Sequence, residues 1–316
     1  MVKILVTGGS GMVGAALVEK LVKDGHEVNM LDIHDVKIEG TNYIQGTILS
    51  PMDIDKAMDG CEYVVHLAAT VGVDRSLKAP LECLDVNVLG TRNMLEASVK
   101  NDIKRFVFSS SSEIYGEPRE LPILETADYS PKSEYGASKV IGEEYIKAYS
   151  KKYNLDYTIL RFFNVYGEQR NEFVVPLFIT AALKNETLKL FGDGQQTRAF
   201  CYVDDIVQGI CKGIFEEKAK NEIFNIGNPG GEVSMEQLAQ KIVEISGSQS
   251  KIEHVEFGDK IRGKWREVFK RVPEIKKAQE KLGYEPKWTI EDGLKAVIDY
   301  YKENLDKYVE PDMQGI

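Results

Sequence analysis

The sequence predicts an α/β fold: a doubly wound parallel sheet with a smaller α/β lobe interleaved toward the C-terminal half. Two observations lead to this expectation. Short apolar runs rich in β-branched residues alternate with amphipathic, helix-like stretches, which is typical of βαβ units. In addition, a glycine-rich turn directly follows the first apolar run and opens the first helical stretch, which is typical of a dinucleotide-binding unit.

The first half of the chain supplies the strands and crossover helices of this sheet. Strands are predicted at residues 3–7, 26–31, 63–67, 105–109 and 157–161. Helices are predicted at residues 15–23, 51–58, 81–99 and 134–152. Because crossovers between parallel strands are right-handed, this alternation winds helices onto both faces of one sheet.

The second half of the chain is less regular. Asp204 is expected to cap one helix, and Ser234 with Gln237 has the spacing of a capping box at another. Helices are predicted at residues 174–184, 203–216, 234–246, 273–282 and 290–304, and a strand at 188–191. We expect a Rossmann domain over residues 1–165, to which residues 192–217 return, and a substrate-binding lobe over residues 166–191 and 218–316.

Charge and composition exclude several classes of function. Lys and Arg number 40 against 50 Asp and Glu, and the net charge of −10 argues against a nucleic-acid polymer as partner. The longest mostly apolar stretch, residues 173–183, falls short of the about 20 residues that a membrane span needs, so no membrane partner is expected. The four Cys form no C-x-x-C pair and the four His show no ligand spacing, which predicts no metal site and a cytoplasmic location.

The glycine-rich turn has the sequence TGGSGMVG and starts at Thr7. Gly8 is expected to permit the tight turn, Gly11 to let a pyrophosphate approach the backbone, and Gly14 to allow close helix packing. Asp32 ends the second predicted strand, where a carboxylate accepts hydrogen bonds from the adenosine ribose and repels a 2′-phosphate. The pattern therefore predicts NAD rather than NADP as cofactor.

Two further motifs supply groups for chemistry. Tyr135 and Lys139 are four residues apart on a predicted helix, and an ammonium beside a phenol is expected to lower the pKa of the phenol toward neutrality. That would make Tyr135 a general acid and base. The run SSSSEIYG spans Ser109 to Gly116 and includes Glu113. It follows a predicted strand and so places hydroxyls at the carboxyl end of the sheet, where ligands bind.

Together these motifs resemble the extended short-chain dehydrogenase/reductase superfamily, in particular its NAD-dependent nucleotide-sugar epimerase/dehydratase branch. The resemblance covers nearly the whole chain. Its landmarks are TGGSGMVG, HLAA at residues 66–69, VNVLGT at 86–91, SSSSEIYG, YGASK, RFFNVYG at 161–167 and GDGQQTRAFCYVDD at 192–205. The resemblance also implies a homodimer formed by the helices at 81–99 and 134–152, for which Leu84, Val88, Leu95, Ile141, Tyr145 and Ile146 are candidate contacts.

The resemblance assigns roles to individual residues. It implies that Ser111 is the catalytic hydroxyl, Tyr135 the base and Lys139 its partner. It implies NAD contacts at Gly8, Ser10, Gly11, Met12, Val13, Gly14, Asp32, Ile48, Leu67, Ala68, Ala69, Ser109, Tyr135 and Lys139. Asn164, Arg198 and Arg271 would bind the nucleotide-diphosphate sugar. Thr47 departs from the family pattern, which often has Asp beside the adenine.

The family's shared step is oxidation of the sugar at C4, and the resulting ketone leads to several net reactions. Glu113, two residues after Ser111, resembles the 4,6-dehydratases and the uronate decarboxylases, since a carboxylate there would act at C5. Ser112 stands where the dTDP-glucose dehydratases have Asp, while the YGASK context is more typical of epimerases. The sequence thus favours C5-directed lyase chemistry, with 4-epimerisation as the alternative and a reductase or a non-catalytic NAD-binding regulator as remote alternatives.

Overall fold

The computed structural model describes residues 1–168, 173–256 and 268–304. Seven of the described strands form one parallel sheet in the order β11-β6-β5-β4-β1-β2-β3. Helices cover both faces, which confirms the predicted doubly wound α/β fold. Two large apolar clusters, one on each side of the sheet, form the core of the molecule.

The strands and helices have the following bounds. The strands are β1 (Lys3–Thr7), β2 (Glu27–Asp32), β3 (Thr41–Gln45), β4 (Tyr63–His66), β5 (Arg105–Ser111), β6 (Tyr157–Phe162), β7 (Val165–Tyr166), β8 (Leu188–Phe191), β9 (Thr197–Ala199), β10 (Cys201–Tyr202), β11 (Glu222–Ile226), β12 (Glu232–Ser234), β13 (Ile252–Val255) and β14 (Lys270–Arg271). The helices are α1 (Met12–Lys23), α2 (Pro51–Met58), α3 (Val73–Lys78), α4 (Pro80–Leu84), α5 (Gly90–Lys100), α6 (Glu134–Tyr153), α7 (Val174–Leu183), α8 (Val203–Phe215), α9 (Met235–Ser246), α10 (Lys276–Leu282) and α11 (Ile290–Glu303).

The predicted helix at residues 81–99 differs from the structure. It is divided into α4, a π-helical turn at Asp85–Leu89 and α5. The division coincides with a buried polar side chain, Asn87, which bonds outside the helix to both backbone groups of Thr70 and to the Ser138 hydroxyl. Single π-helical turns within α-helices are frequent at functional sites.

The C-terminal half departs further from the prediction. Strand β11 extends the large sheet beyond residue 217, where the expected return to the Rossmann domain ended. Asp204 does not cap α8: the helix begins after Tyr202, and the neighbouring Asp205 carboxylate instead accepts hydrogen bonds from the backbone of residues 287 and 288. The capping box of Ser234 and Gln237 is confirmed. Three small sheets, β10-β7, β12-β9-β14 and β13-β8, build the second lobe, of which residues 169–172, 257–267 and 305–316 lie outside the described part.

The sheet order determines where a ligand can bind. Strand β1 pairs with β2 on one side and with β4 on the other, so the direction of chain progression reverses between β1 and β4. Crevices at the carboxyl ends of strands beside such a reversal are the usual ligand sites of open α/β sheets. No helix within the described ranges is long and apolar enough to cross a membrane.

Candidate active site

The glycine-rich turn lies at this reversal point, between β1 and α1. Gly8 has a φ of +71°, and a Cβ there would lie 2.7 Å from the backbone nitrogen of Ala68. A Cβ on Gly14 would lie 2.1 Å from the Gly8 carbonyl oxygen, so this glycine lets α1 pack against the turn itself. A Cβ on Gly11 would meet only the Gly8 oxygen, at 3.4 Å. The turn therefore requires glycine at positions 8 and 14, whereas at Gly11 the backbone is open on its outer side.

Asp32 lies directly beside this turn. Its Oδ2 accepts a hydrogen bond of 2.9 Å from the Ser10 amide, and its Oδ1 accepts one of 3.0 Å from the His34 amide. These bonds fix the carboxylate, 7% exposed, next to the start of α1. No side chain caps that helix, so its positive dipole end faces the turn at Met12 and Val13.

The remaining residues predicted to contact the cofactor surround the same crevice. Leu67, Ala68 and Ala69 follow β4, and the Ala68 amide donates to the Thr7 hydroxyl at 3.2 Å. Ile48 is buried against α5, where a Cβ on Gly90 would lie 2.4 Å from its Cδ1. The amide of the neighbouring Thr47 donates to Asp53 Oδ2 at 3.0 Å, so a carboxylate from α2 lies beside this loop. A cradle of glycines, a helix N-terminus and a fixed carboxylate fit a dinucleotide.

Tyr135, Lys139 and Ser111 meet at the next strand ends. The Lys139 Nζ donates to the Ser109 carbonyl at 2.8 Å and lies 5.7 Å from the centre of the Tyr135 ring. The Ser111 hydroxyl hydrogen-bonds the Tyr135 side chain, and it also accepts from the Glu113 amide at 3.2 Å. The helix and the strand thus bring together the phenol, the ammonium and the hydroxyl that the sequence singled out. Their catalytic roles stay predictions.

The expected lowering of the Tyr135 pKa toward neutrality is wrong for this structure. Burial raises the pKa of Tyr135 well above its usual value, and the hydrogen bond from Ser111 opposes this rise only in part. Burial also lowers the pKa of Lys139 to about 8. Both shifts have the same cause, since a buried site disfavours the charged form of either group.

Glu113 and Arg271 form an ion pair beside these residues. The Arg271 Nη1 lies 2.5 Å from Glu113 Oε1, and the arginine side chain is 5% exposed. Its Nε is buried without a hydrogen-bond partner within the described ranges. Arg271 and Arg198 are register partners in the β14–β9 pairing, so two of the predicted substrate residues lie side by side.

The side chains of Asn164 and Arg198 both donate to backbone carbonyls of β9, the strand to which Arg198 itself belongs. The Asn164 Nδ2 donates to the Ala199 carbonyl at 3.1 Å, and the Arg198 Nη1 donates to the Thr197 carbonyl at 2.8 Å. The residue at 164 also has a positive φ, 39°, which Asn tolerates better than most residues. Asn164 lies between β6 and β7, and Arg198 lies on β9; their contacts with substrate stay predictions.

Sequence reasoning missed two polar residues that connect the cofactor crevice to α6. His66 Nδ1 lies 2.8 Å from the Thr7 hydroxyl and its Nε2 lies 3.1 Å from that of Thr91, while burial lowers its pKa to about 3. Asn87 continues the chain of contacts to Ser138 at 2.9 Å. Both residues lie within stretches that carried the family resemblance, HLAA and VNVLGT, but the patterns alone do not indicate these partners.

Comparison with known proteins decides the family. The family model described as NAD dependent epimerase/dehydratase family matches residues 4–227. The chain belongs to the NAD-dependent epimerase/dehydratase family. Among its relatives is a Methanocaldococcus jannaschii protein whose name gives it, provisionally, as a UDP-glucose 4-epimerase; the two are 38% identical over 95% of this chain and 99% of that one.

Other members of the family are similar over equal lengths. A UDP-N-acetyl-alpha-D-glucosaminuronate decarboxylase of Bacillus cytotoxicus is 34% identical over 95% of this chain and 98% of its own. The crystal structure of UDP-glucuronic acid 4-epimerase from Bacillus cereus, in complex with UDP-glucuronic acid and NAD, superposes with a TM-score of 0.87 at 30% identity, covering 95% and 99% of the two chains. As an enzyme of this family the chain uses NAD, as the sequence predicted.

Proposed function

We propose that this family member oxidises C4 of a nucleotide-diphosphate sugar and then acts at C5 of the resulting ketone, with a uronate as its substrate. The ion pair of Arg271 with Glu113 supports this proposal most strongly. Glu113, two residues after Ser111, holds a buried guanidinium in this pair, and a guanidinium matches a carboxylate in geometry and charge. The relative from Bacillus cytotoxicus, named as a uronate decarboxylase, fits the same proposal.

The first half of the reaction uses the residues around Tyr135. When bound, NAD takes a hydride from C4 of the sugar and returns it at the end of the cycle. Tyr135 takes the proton of the C4 hydroxyl while the Ser111 hydroxyl holds the same oxygen. Tyr135 must be a phenolate to take this proton, and the Lys139 ammonium, fixed by the Ser109 carbonyl, favours that form.

The second half of the reaction uses Glu113 and Arg271. In a uronate the C5 carboxylate is β to the C4 ketone, so the C5–carboxyl bond breaks and its electron pair passes into an enolate as CO₂ leaves. Arg271 orients the carboxylate, and Glu113 takes up one proton from solvent and passes it to C5, which converts the enolate back to a ketone. A 4,6-dehydratase would act instead on a C6 hydroxyl. That group is neutral, so the buried positive charge of Arg271 would have no anionic substrate group to bind.

The second candidate is 4-epimerisation of a nucleotide-diphosphate sugar. Two relatives carry epimerase names, and the group of Ser111, Tyr135 and Lys139 suffices for that reaction. Epimerisation requires the 4-ketone to rotate and to accept the hydride on its other face, with no bond broken at C5. The two candidates therefore differ in what happens at C5, while C4 oxidation is common to both.

Variants of Arg271 test the choice of substrate. We compare kcat/KM for UDP-glucuronate and UDP-glucose in the wild type, in Arg271→Gln and in Lys270→Gln, whose side chain is 49% exposed on the same strand. The wild type should prefer the uronate, and Arg271→Gln should lower kcat/KM for the uronate about a hundredfold, a typical cost of removing one partner of a buried charge pair. A wild type that prefers UDP-glucose, or an Arg271→Gln variant with the preference of the wild type, would contradict a uronate substrate.

A further inference from the structure

A second ion pair lies fully buried behind the proposed catalytic residues. Arg161 on β6 and Glu143 on α6 are 1% and 0% exposed. Arg161 Nη2 donates to Glu143 Oε2 at 2.7 Å, and Arg161 Nε donates to Oε1 at 2.9 Å. Glu143 follows Lys139 by one helical turn, so the pair is tied to the helix that carries Tyr135 and Lys139.

One contact of this pair reaches the end of β5. The Ser110 hydroxyl donates to Glu143 Oε1 at 2.6 Å. Its neighbours in the strand are Ser109, whose carbonyl accepts from Lys139, and Ser111, which hydrogen-bonds Tyr135. Three adjacent strand residues are thus bonded to α6, at positions 135, 139 and 143, which are one turn apart. These bonds determine how the helix lies along the strand end.

A second set of contacts reaches the turn that carries Glu113. Arg161 Nη1 donates to the Tyr115 hydroxyl and to the Glu125 carbonyl, both at 2.7 Å. The Tyr115 hydroxyl in turn donates to Asn225 Oδ1 on β11, at 2.7 Å. Tyr115 belongs to the same 3₁₀ turn as Glu113, so the ion pair also holds this turn.

We propose that Glu143 and Arg161 are positioning residues for the reaction: their ion pair fixes Tyr135 and Lys139 on α6 relative to Ser111 and Glu113 on the neighbouring strand end and turn. The inference rests on the catalytic roles proposed above. Burying two charges is costly, and an apolar pair of equal volume often stabilises a protein as well or better. Directional bonds join four elements here, β6, α6, β5 and the 3₁₀ turn, and so define a single register between them, which an apolar pair does not.

The Ser110 contact allows a test that leaves both charges in place. Ser110→Ala removes only the hydroxyl that bonds Glu143. Tyr129→Phe is the matched control, because it also removes one hydroxyl from the ion pair, at 2.9 Å from Glu143 and 2.7 Å from Arg161, but this hydroxyl bonds Oε2 of Glu143 whereas Ser110 bonds Oε1. For both variants we measure kcat, KM, NAD affinity, thermal unfolding and the rate at which bound NAD is reduced in a single turnover.

We expect Ser110→Ala to lower kcat and the single-turnover rate together, about ten- to a hundredfold, because small displacements of reacting groups cost this much. KM and NAD affinity should stay within about twofold of the wild type, and Tyr129→Phe should keep the wild-type kcat. The inference is overturned if Ser110→Ala has the kcat of the wild type, or if both variants lose kcat in proportion to their loss of Tm.

Two further variants separate this inference from the proposed function. Tyr135→Phe should be inactive, and if it keeps near-normal turnover, the catalytic assignment fails whatever Ser110→Ala does. Glu143→Gln leaves Arg161 as an uncompensated buried charge, so it is compared with the double variant Glu143→Gln/Arg161→Met, which removes both charges. A folded double variant with the kcat of the wild type would also overturn the positioning role.

Discussion

The guanidinium of Arg271 lies 2.5 Å from the carboxylate of Glu113, although 158 residues separate the two in the chain. The pairing joins the turn after β5 to strand β14 of the second lobe. The contact is supported by backbone bonds between the same regions, since the Ile123 amide donates to the Val272 carbonyl at 2.9 Å and the Glu274 amide donates to the Ile123 carbonyl at 2.8 Å. The pair therefore belongs to a connection between the two lobes at the candidate active site.

Replacing Glu113 should separate the two halves of the reaction. In Glu113→Gln we expect substrate to reduce the bound NAD at close to the wild-type rate. Reduced NAD should then accumulate, because a neutral amide cannot take up a proton and pass it to C5. Stopped-flow absorbance of the nicotinamide measures this directly. Glu117→Gln, an acid-to-amide change on the same loop, should behave as the wild type. Product formation by Glu113→Gln at the wild-type rate would exclude Glu113 from C5 chemistry.

Asp32 should determine the choice of cofactor. A 2′-phosphate beside this fixed carboxylate suffers like-charge repulsion, so we expect NAD to bind at least about tenfold more tightly than NADP. Asp32→Asn keeps the size of the side chain and one acceptor oxygen but removes the charge. It should therefore reduce the difference between the affinities for NAD and NADP. Isothermal titration calorimetry gives both affinities. Equal affinities in the wild type would disprove the role of Asp32 in this discrimination.

Lys139 should cost stability while it supports activity. Burial lowers its pKa to about 8, below its value of about 10.4 in an unfolded chain. Between these two pH values the unfolded chain binds more protons, so the lysine makes the free energy of unfolding rise with pH, and below about pH 8 its full burial cost remains. Lys139→Met should therefore raise the Tm at neutral pH and abolish activity. It should also remove the increase in the free energy of unfolding between about pH 8 and pH 10.4.

Thermal unfolding at neutral and alkaline pH tests the effect of Lys139. The exposed Lys151 on the same helix provides the control, since Lys151→Met should change the free energy of unfolding by less than about 0.5 kcal/mol. In the wild type, activity that depends on the ammonium should fall as the pH rises through about 8. A lower Tm for Lys139→Met than for the wild type at neutral pH would contradict the account.

A homodimer remains a prediction, and the structure corrects its candidate contacts. Leu95 and Ile146 are 0% and 1% exposed in the core, so they cannot form an intersubunit face. Leu81, Leu89 and Ile141 on the same helices are 75%, 46% and 40% exposed. Light scattering should give twice 35.5 kDa at micromolar concentration. Ile141→Glu should shift this mass to the monomer and Met52→Glu, on the exposed side of α2, should not. A wild-type monomer would reject the prediction.

The sequence predicted the main sheet because its elements carry local signals. Runs such as β1 and β5 are apolar and β-branched, and helix α2 matches its expected bounds residue by residue. Strand β3 was missed because its residues are half exposed and polar, with only Ile44 buried. Strand β11 was missed because it returns to the sheet after a long excursion, which no local pattern reveals.

The sequence predicted which residues form the candidate site, but it did not predict which of them contact each other. Tyr135 and Lys139 share a helix face, so their spacing indicated their proximity. The ion-pair partner of Arg271 lies 158 residues away, and that of Arg161 lies on a different element, so both pairs depend on tertiary packing. The high pKa of Tyr135 was also missed, because burial outweighs the hydrogen bond from Ser111 and depends on neighbours that the motif does not contain.

The most direct test of the proposed C5 chemistry is to follow UDP-glucuronate by NMR in D₂O. We predict loss of the C6 carboxylate carbon and one deuterium at C5 of the product, because the enolate takes its proton from a group that exchanges with solvent. Glu113→Gln should stall after CO₂ loss in the first turnover, so that neither signal accumulates beyond one equivalent per active site while NAD is still reduced. Inversion at C4 with the carboxylate retained, no deuterium at C5 and no effect of Glu113→Gln would contradict the proposal and identify a 4-epimerase.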